Sequence, residues 1–321
     1  MSPLGVKDVH VNQAMTNVAI GYHPHGLIAE QIFPIIPVSK ESDYYYVWNR
    51  DEAFRIENTL RADGAEANEV EFNVDKELYG AEEYALKTGV TDRQMENSDS
   101  VLNLKISKQK RLQDKLLIDL EMRIATLLTT EANYATTNYL ALTGTMRFND
   151  SGYVAAETAD PTYSVESRID VGKEAIRKQC GGLEPNVIII PSAVAKVVKK
   201  NKTVRDLIKY THADLLVDGD LPPQLWGMKV LIPKGTYATA VEGASSQTMG
   251  DIWGNNIIML YVNPSPAIDA VSCGYIFRSK GWTTREWREE WKKRDVVETG
   301  YIQAEKLVSN VAGYLLETVI N

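Results

Sequence analysis

The strongest hydrophobic pattern in the chain is an amphipathic segment over about residues 101–134. Its apolar side chains recur every four residues, close to the helical period, at Leu112, Leu116, Leu120, Ile124 and Leu128. Neither proline nor glycine interrupts residues 105–134. At about 1.5 Å per residue such a helix would be roughly 45 Å long, and its charges exclude a membrane span. The pattern predicts a spine helix whose core side chains are those of this stripe.

A second pattern, alternation with period two, predicts a long β-hairpin over residues 41–78. One strand carries Tyr44, Tyr46 and Trp48 at alternate positions, and the other carries Val70, Phe72 and Val74. Between them lies an Asp-Gly pair, a strong hairpin signal. Because an isolated two-stranded hairpin is marginally stable in water, we expect it to lie on another subunit; the alternative is that it folds back on its own domain. The candidate intersubunit contacts are its charged residues Arg50, Arg55, Arg61, Asp63, Glu66 and Glu69.

The remaining segments complete a predicted α+β fold. Residues 1–40 are expected to form an extended arm, with Gln31–Pro37 as an edge strand or extended stretch because of its two prolines. Residues 77–99 indicate an acidic, turn-rich connector, and residues 144–162 a flexible surface loop. Helical and buried-strand patterns alternate from 165 to 270, with Ser192 as a helix N-cap. Strand patterns then return, which predicts a discontinuous first domain with an inserted α/β domain.

Composition narrows the class of protein. The 321 residues, 44% hydrophobic and 24% charged, are typical of a globular chain. A net charge of −8 argues against a dedicated nucleic-acid-binding protein, although it allows a protein that encloses nucleic acid. Cys180 and Cys273 are expected to be buried thiols, with a disulfide as the alternative. No secretory signal or long apolar run is visible, which predicts a protein made and kept in a cytoplasm.

No motif in the sequence predicts a catalytic, cofactor-binding or metal-binding site. Glycine-rich phosphate loops and a nucleophile elbow are missing. His23 and His25 have no Cys or Asp nearby, and the aspartates at 214, 218 and 220 lack EF-hand spacing. Residues 285–294 interleave tryptophans with basic residues, as some nucleic-acid surfaces do, but their glutamates favour intersubunit or surface salt bridges. We therefore predict that the protein is not an enzyme.

Four short stretches resemble the major capsid proteins of tailed bacteriophages, the family with the HK97-like fold. They are Arg61–Asn68, Tyr79–Leu86, Val90–Arg93 and Asp251–Ile258. None of the four is a catalytic motif. Their order along the chain, together with the order of the predicted elements, extends the resemblance over nearly the whole sequence.

The resemblance implies a fold in four parts. Residues 1–40 would be the N-terminal arm, 41–78 the extended hairpin loop, 79–164 with 273–321 the peripheral domain built on the spine helix, and 165–272 the inserted α/β axial domain. The implied function is a structural protein that self-assembles into hexamers and pentamers of an icosahedral shell. This shell would enclose double-stranded DNA, contacted without sequence specificity. Further implied partners are a portal protein and a separate scaffolding protein, with no membrane, in a virion assembled in the host cytoplasm.

Two features of some family members are expected not to apply here. Some members link their shells covalently through a lysine in the extended loop, but Lys40 and Lys76 flank this hairpin and no lysine lies between them. Others carry a long N-terminal scaffolding segment, for which the residues before the spine leave no room. The alternative functions are an encapsulin-like nanocompartment shell, a soluble α/β enzyme built on 165–270, and a ring-forming tail or adaptor protein.

Overall fold

The structure is a computed structural model, which describes residues 10–11, 26–48, 54–71, 74–97, 103–160, 163–211, 221–240, 246, 248–265 and 271–321. Several residues named above lie outside these ranges: Arg50, Phe72, His23, His25 and the aspartates at 214, 218 and 220.

The described residues combine helices and strands, as the sequence predicted. The α-helices are α1 (Ala29–Ile32), α2 (Asp92–Glu96), α3 (Leu104–Thr129), α4 (Ser151–Ala159), α5 (Val165–Gln179), α6 (Ser192–Val198) and α7 (Lys202–Thr211). The strands are β1 (His10–Val11), β2 (Ile35–Pro37), β3 (Ser42–Trp48), β4 (Val74–Gly80), β5 (Glu82–Thr91), β6 (Tyr139–Ala141), β7 (Val187–Ile189), β8 (Gln224–Leu225), β9 (Met228–Leu231), β10 (Thr236–Ala238), β11 (Met249–Asp251), β12 (Ile257–Leu260), β13 (Gly274–Glu289), β14 (Arg294–Leu307) and β15 (Gly313–Glu317).

The first sheet is built on the long antiparallel pair β13–β14. Its strand order is β1-β13-β14-β5, and β2 lies parallel beside β13. Because β5 pairs with β14 from Thr91 to Glu82, the prediction of a turn-rich connector over residues 77–99 was wrong. The acidic composition was misleading since β5 is an edge strand, and its Glu82 and Glu83 face solvent. The edge strand expected within Gln31–Pro37 is β2, but the first residues of that stretch belong to α1.

The spine helix α3 spans 26 residues and ends at Thr129, earlier than the predicted end near 134. Side chains that follow the helix satisfy its last carbonyl groups: Asn133 donates to the Leu127 carbonyl at 2.8 Å, and Tyr134 donates to the Leu128 carbonyl at 2.7 Å. The five stripe residues Leu112, Leu116, Leu120, Ile124 and Leu128 are all buried. The helix therefore turns its apolar stripe into the protein and lies against β5 and β14 of the first sheet.

The second sheet joins the end of the chain to the α/β region. Its strand order is β6-β15-β12-β7-β9-β8, with β7 parallel to β9 and antiparallel to β12. The final strand β15 and the short β6 therefore share a sheet with strands of 165–272, although the predicted boundaries assigned both to the peripheral domain. The apolar run Tyr314–Leu316 explains this position, because a strand buried on both faces belongs inside a sheet. The division into domains stays a prediction.

Two local predictions were wrong. Residues 144–162, expected to be a flexible loop, contain α4, whose N-terminus is capped by the Asp150 carboxylate accepting from Gly152 N–H at 2.8 Å. The Asn-Asp-Ser-Gly signal there marks the helix cap rather than a loop. Ser192, expected to be an N-cap, is the first residue of α6, and the cap position is occupied by Pro191 without a side-chain hydrogen bond.

A buried carboxylate on the spine helix connects three distant parts of the chain. Glu121 has no exposed surface. Its Oε1 accepts a hydrogen bond from Trp253 Nε1 at 2.7 Å, and its Oε2 accepts from the backbone N–H groups of Ile28 and Ala29 at 3.0 and 2.8 Å. This one side chain therefore attaches α1 and the segment before β12 to the spine.

We expect Glu121→Ala to lower the free energy of unfolding by about 3–5 kcal/mol, because three buried donors would lose their acceptor. Urea unfolding followed by circular dichroism measures this change. The control is Lys115→Ala on the exposed side of the same helix, expected to change stability by less than about 0.5 kcal/mol. Equal stability of the two variants would contradict the role given to Glu121.

The same carboxylate predicts a pH dependence. Burial raises the pKa of Glu121 above its ordinary value of 4.5, although the hydrogen bonds from Trp253, Ile28 and Ala29 lower it. A carboxyl group whose pKa is higher in the folded state than in the unfolded state stabilises the folded protein fully below the unfolded-state pKa. This stabilisation is lost as the pH rises through the folded-state pKa. Relative to Glu121→Gln, the free energy of unfolding of the native chain should therefore fall as pH rises from about 4 to about 8. A difference that stays constant or increases over this range would refute the assignment.

Candidate functional site: the hairpin and its exposed loop

The base of the predicted hairpin is the antiparallel pair β3–β4, which is attached to the first sheet by aromatic stacking. The centroids of the Tyr79 and Phe277 rings are 4.7 Å apart, and the two ring planes make an angle of 11°. The centroid of the Tyr45 ring lies 5.4 Å from that of Phe277. Phe277 belongs to β13, and Ile36 and Val38 border the same small cluster. The inner face of the hairpin base is therefore fixed to the body of the protein.

The outer face of the hairpin base exposes apolar side chains. Tyr44, Tyr46 and Leu78 are 61%, 52% and 53% exposed. Tyr44 lies opposite Leu78 in the ladder, and Tyr46 lies opposite Lys76, whose ammonium is 5.5 Å from the Tyr46 ring centroid. The alternation seen in the sequence thus identified the hairpin, but the tyrosine that packs on the body is the intervening Tyr45.

Beyond the base, residues 54–71 form an extended loop without strand pairing, so the predicted strands are shorter than expected. The Asp63-Gly64 pair forms the predicted turn, in which Gly64 has a φ of +77° and Ala65 N–H donates to the Ala62 carbonyl at 3.1 Å. Asn68 donates from its side chain to the Asn58 carbonyl at 2.6 Å and joins the two sides of the loop. The many Ala, Asn and Glu residues in this segment have low β propensity, which accounts for the missing ladder.

The candidate contact residues in this loop all face solvent. Arg55, Arg61, Asp63, Glu66 and Glu69 are exposed, and the Arg55 guanidinium has one nearby carboxylate, Glu57, at 3.7 Å. The structure also exposes large apolar side chains that were not among the predicted contacts, namely Ile56 at 97% and Leu60 at 84%. Isolated apolar residues among charged ones form no sequence pattern that predicts an intersubunit contact. Their exposure is visible only in the structure.

One contact joins the start of this loop to the α/β region of the same chain. The Phe54 ring lies so close to Gly181 that a Cβ at Gly181 would be 2.2 Å from it. Gly181 follows α5 and has a φ of +64°, a backbone conformation that favours glycine. Phe54 therefore contacts the α/β region of its own chain, whereas Ile56 and Leu60 stay exposed, and both expectations for the hairpin stay predictions.

The charged run at 285–294 forms ion pairs within the chain. Lys105 of the spine lies 2.7 Å from Asp295, and Arg294 lies 2.7 Å from Glu289. Arg288 pairs with Asp92 at 2.5 Å and with Asp295 at 3.2 Å. Intersubunit or surface salt bridges were expected for this run in preference to a nucleic-acid surface, and the described contacts are surface salt bridges within the chain.

Other kinds of site have little support in the part of the chain that the structure describes. No group of three or more potential metal ligands occurs there, and no helix among those residues is long and apolar enough to cross a membrane. Cys180 and Cys273 are both buried and are not joined in a disulfide, and burial raises the pKa of the Cys273 thiol to about 12. A thiol with such a pKa is unreactive near neutral pH.

Solved structures with the same fold include a phage-related protein, a phage capsid and a virus-like particle. A phage-related protein from Bordetella bronchiseptica has a TM-score of 0.72 at 21% identity, covering 97% of this chain and 98% of that one. The capsid structure of cyanophage P-SCSP1u has a TM-score of 0.65 at 10% identity, covering 92% and 89%. A virus-like particle from Pyrococcus furiosus has a TM-score of 0.52 at 12% identity, covering 95% and 96%. The fold is accordingly that of capsid shell subunits.

Sequence relatives narrow this class. No family model matches the chain. The major capsid protein of Burkholderia phage BcepMu is 27% identical over 319 residues, which cover 96% of each chain. The major capsid protein of Pseudomonas phage JBD67 is 26% identical over 163 residues, about half of each chain. The chain is thus similar to the major capsid proteins of two phages, and the resemblance to phage major capsid proteins found in the sequence is confirmed.

The stacking at the hairpin base gives a testable prediction. Phe277→Ala should destabilise the protein by about 3 kcal/mol or more, since it removes a buried ring that contacts both hairpin strands. Amide hydrogen exchange of β3 and β4 should accelerate more than that of β12. Tyr44→Ala on the outer face is the control and should leave both measurements nearly unchanged. Equal acceleration in β3, β4 and β12 would contradict a local role for Phe277.

Proposed function

We propose that this chain is a structural major capsid protein, not an enzyme, which self-assembles into hexamers and pentamers of an icosahedral shell that encloses double-stranded DNA. The observation that carries the proposal is the similarity to the BcepMu major capsid protein, which extends over 96% of both chains. A match of this extent includes the hairpin and its loop, whose residues 54–71 are all exposed in the single chain.

In this proposal each part of the chain has a structural task. Residues 1–40 are the N-terminal arm, 41–78 the extended hairpin loop, 79–164 with 273–321 the peripheral domain, and 165–272 the axial domain that meets its copies at the capsomer centre. Closed rings of identical subunits require heterologous contacts, in which different surfaces of the subunit meet. The hairpin loop supplies one such surface, since Ile56 and Leu60 expose apolar area among charged residues.

The proposed partners follow from the same role. They are further copies of the chain, a separate scaffolding protein, a portal protein and packaged DNA contacted without sequence specificity. The protein would reside in the virion after assembly in the host cytoplasm. A net charge of −8 suits a shell whose inner surface adjoins DNA without binding it tightly over its whole area.

An encapsulin-like nanocompartment is the second candidate, and the similarity to the Pyrococcus furiosus particle favours it. The shared fold does not distinguish the two functions, because both need a closed shell. The cargo does: DNA that copurifies with the shells supports the capsid, and a copurifying enzyme supports the nanocompartment.

Negative-stain electron microscopy of the purified chain, alone and with its scaffolding partner, tests the proposal. We expect closed shells of uniform diameter, or rings of subunits that close when the scaffold is added. Monodisperse monomers in both samples would overturn it, and open rings in both would favour a tail or adaptor protein.

The hairpin loop should contribute to assembly without contributing to folding. We expect the double variant Ile56→Asp/Leu60→Asp to keep the native unfolding midpoint, because both side chains are exposed, but to lose most shell formation. The matched control is Val171→Asp, which also changes an exposed apolar residue, here 52% exposed on α5. Light scattering and microscopy measure assembly. Normal shells from the double variant would exclude this loop as an assembly contact.

A further inference from the structure

The corner between α6 and α7 carries a group of exposed basic side chains. Lys196 and Lys200 lie at the end of α6 and in the following turn, and Lys202 and Arg205 lie in the first turn of α7. We call these four residues the basic corner. The four lie within ten positions of one another in a chain whose net charge is −8.

The turn of the basic corner is held by a hydrogen bond to a buried acid, Glu157 of α4. Glu157 is 8% exposed, and its carboxylate accepts from Asn201 Nδ2 at 2.7 Å. The Thr203 hydroxyl lies 3.4 Å from this carboxylate and donates to its nearer acceptor, Asn201 Oδ1, at 2.6 Å. Asn201 Oδ1 in turn accepts from Thr203 N–H at 3.2 Å and caps α7. Hydrogen bonds within the protein therefore hold the side chains of Asn201 and Thr203, whereas the four cations are exposed.

The four cations have no ion-pair partner among the residues that the structure describes, where no carboxylate oxygen lies within 4.0 Å of them. This contrasts with the run at 285–294, in which Arg288 and Arg294 are each paired with carboxylates. Helix stability does not account for the corner either. Cations in the first turn of a helix, where Lys202 and Arg205 lie, oppose the helix dipole and destabilise it slightly.

We propose that the basic corner binds the phosphate backbone of double-stranded DNA and so marks a face of the subunit that is turned toward the packaged genome. This inference rests on the proposed function. A protein partner would need apolar contacts at the centre of the interface, but no large apolar side chain is exposed within residues 192–206. Phosphate contacts need only cations on a fixed support, and they carry no sequence information.

The test uses dissociated subunits of the full chain and a random-sequence duplex of about 20 base pairs, with binding followed by fluorescence anisotropy at several salt concentrations. We expect Lys196→Glu/Lys200→Glu/Lys202→Glu to weaken binding at least tenfold. The slope of log K against log salt should become shallower by about 3, since each phosphate contact contributes about 0.9. The control, Lys115→Glu/Lys229→Glu/Lys280→Glu, changes the net charge equally at three exposed lysines elsewhere and should bind like the native chain.

Three results would overturn the inference: native affinity in the first variant, an equal loss in the control, or preferential binding of the acidic peptide 54–71 over DNA. The corresponding Lys→Gln triple variant gives the same readout if charge reversal prevents folding. Microscopy separates this inference from the proposed function. Normal shells from a variant with weakened DNA binding support both, shells together with unaltered DNA binding refute only the basic corner, and failure of the native chain to form shells refutes the function.

Discussion

The burial of the Glu121 carboxylate is the constraint on which the arrangement of the chain depends. A buried carboxylate is tolerated only where hydrogen-bond donors surround it, and here the donors come from α1 and from Trp253. Removing either of these segments would take at least one hydrogen bond from the acid, so the same carboxylate links the N-terminal part and the α/β region to the spine. The spine helix is thus the element to which the two sheets are attached.

A second interaction on the same helix fixes the first sheet. The Arg123 guanidinium lies 3.7 Å from the Tyr84 ring centroid, and its Nη2 lies 2.9 Å from the Glu305 carboxylate. These partners belong to β5 and β14, so a polar side chain of the spine helix contacts the first sheet, in addition to the apolar stripe. The hairpin extends from this first sheet, to which Phe277 of β13 attaches it.

The elements that could be predicted from sequence are those defined by local pattern. The four-residue repeat of the spine and the Asp-Gly turn of the loop depend on neighbouring residues, and both occur near the predicted positions. The bond from Trp253 to Glu121 joins residues 132 positions apart, and no local pattern encodes it. Glu121 could have been noticed because it lies beside Leu117 and Ile124 on the apolar side of the helix. The edge strand β5 was missed since its polar composition reflects exposure rather than irregular structure.

In the proposed shell, the subunit must stay soluble before it assembles, and the exposed loop bears on both requirements. Large continuous apolar patches would cause uncontrolled association, but an entirely polar loop would contribute little binding energy. Residues 54–71 combine both properties, because Ile56 and Leu60 are separated by charged and amide side chains. Two apolar side chains on one loop give a weak contact in a single pair of subunits. Repeated around a closed ring, the same contact is multiplied through avidity, so this loop favours completed rings over isolated pairs in the proposed shell.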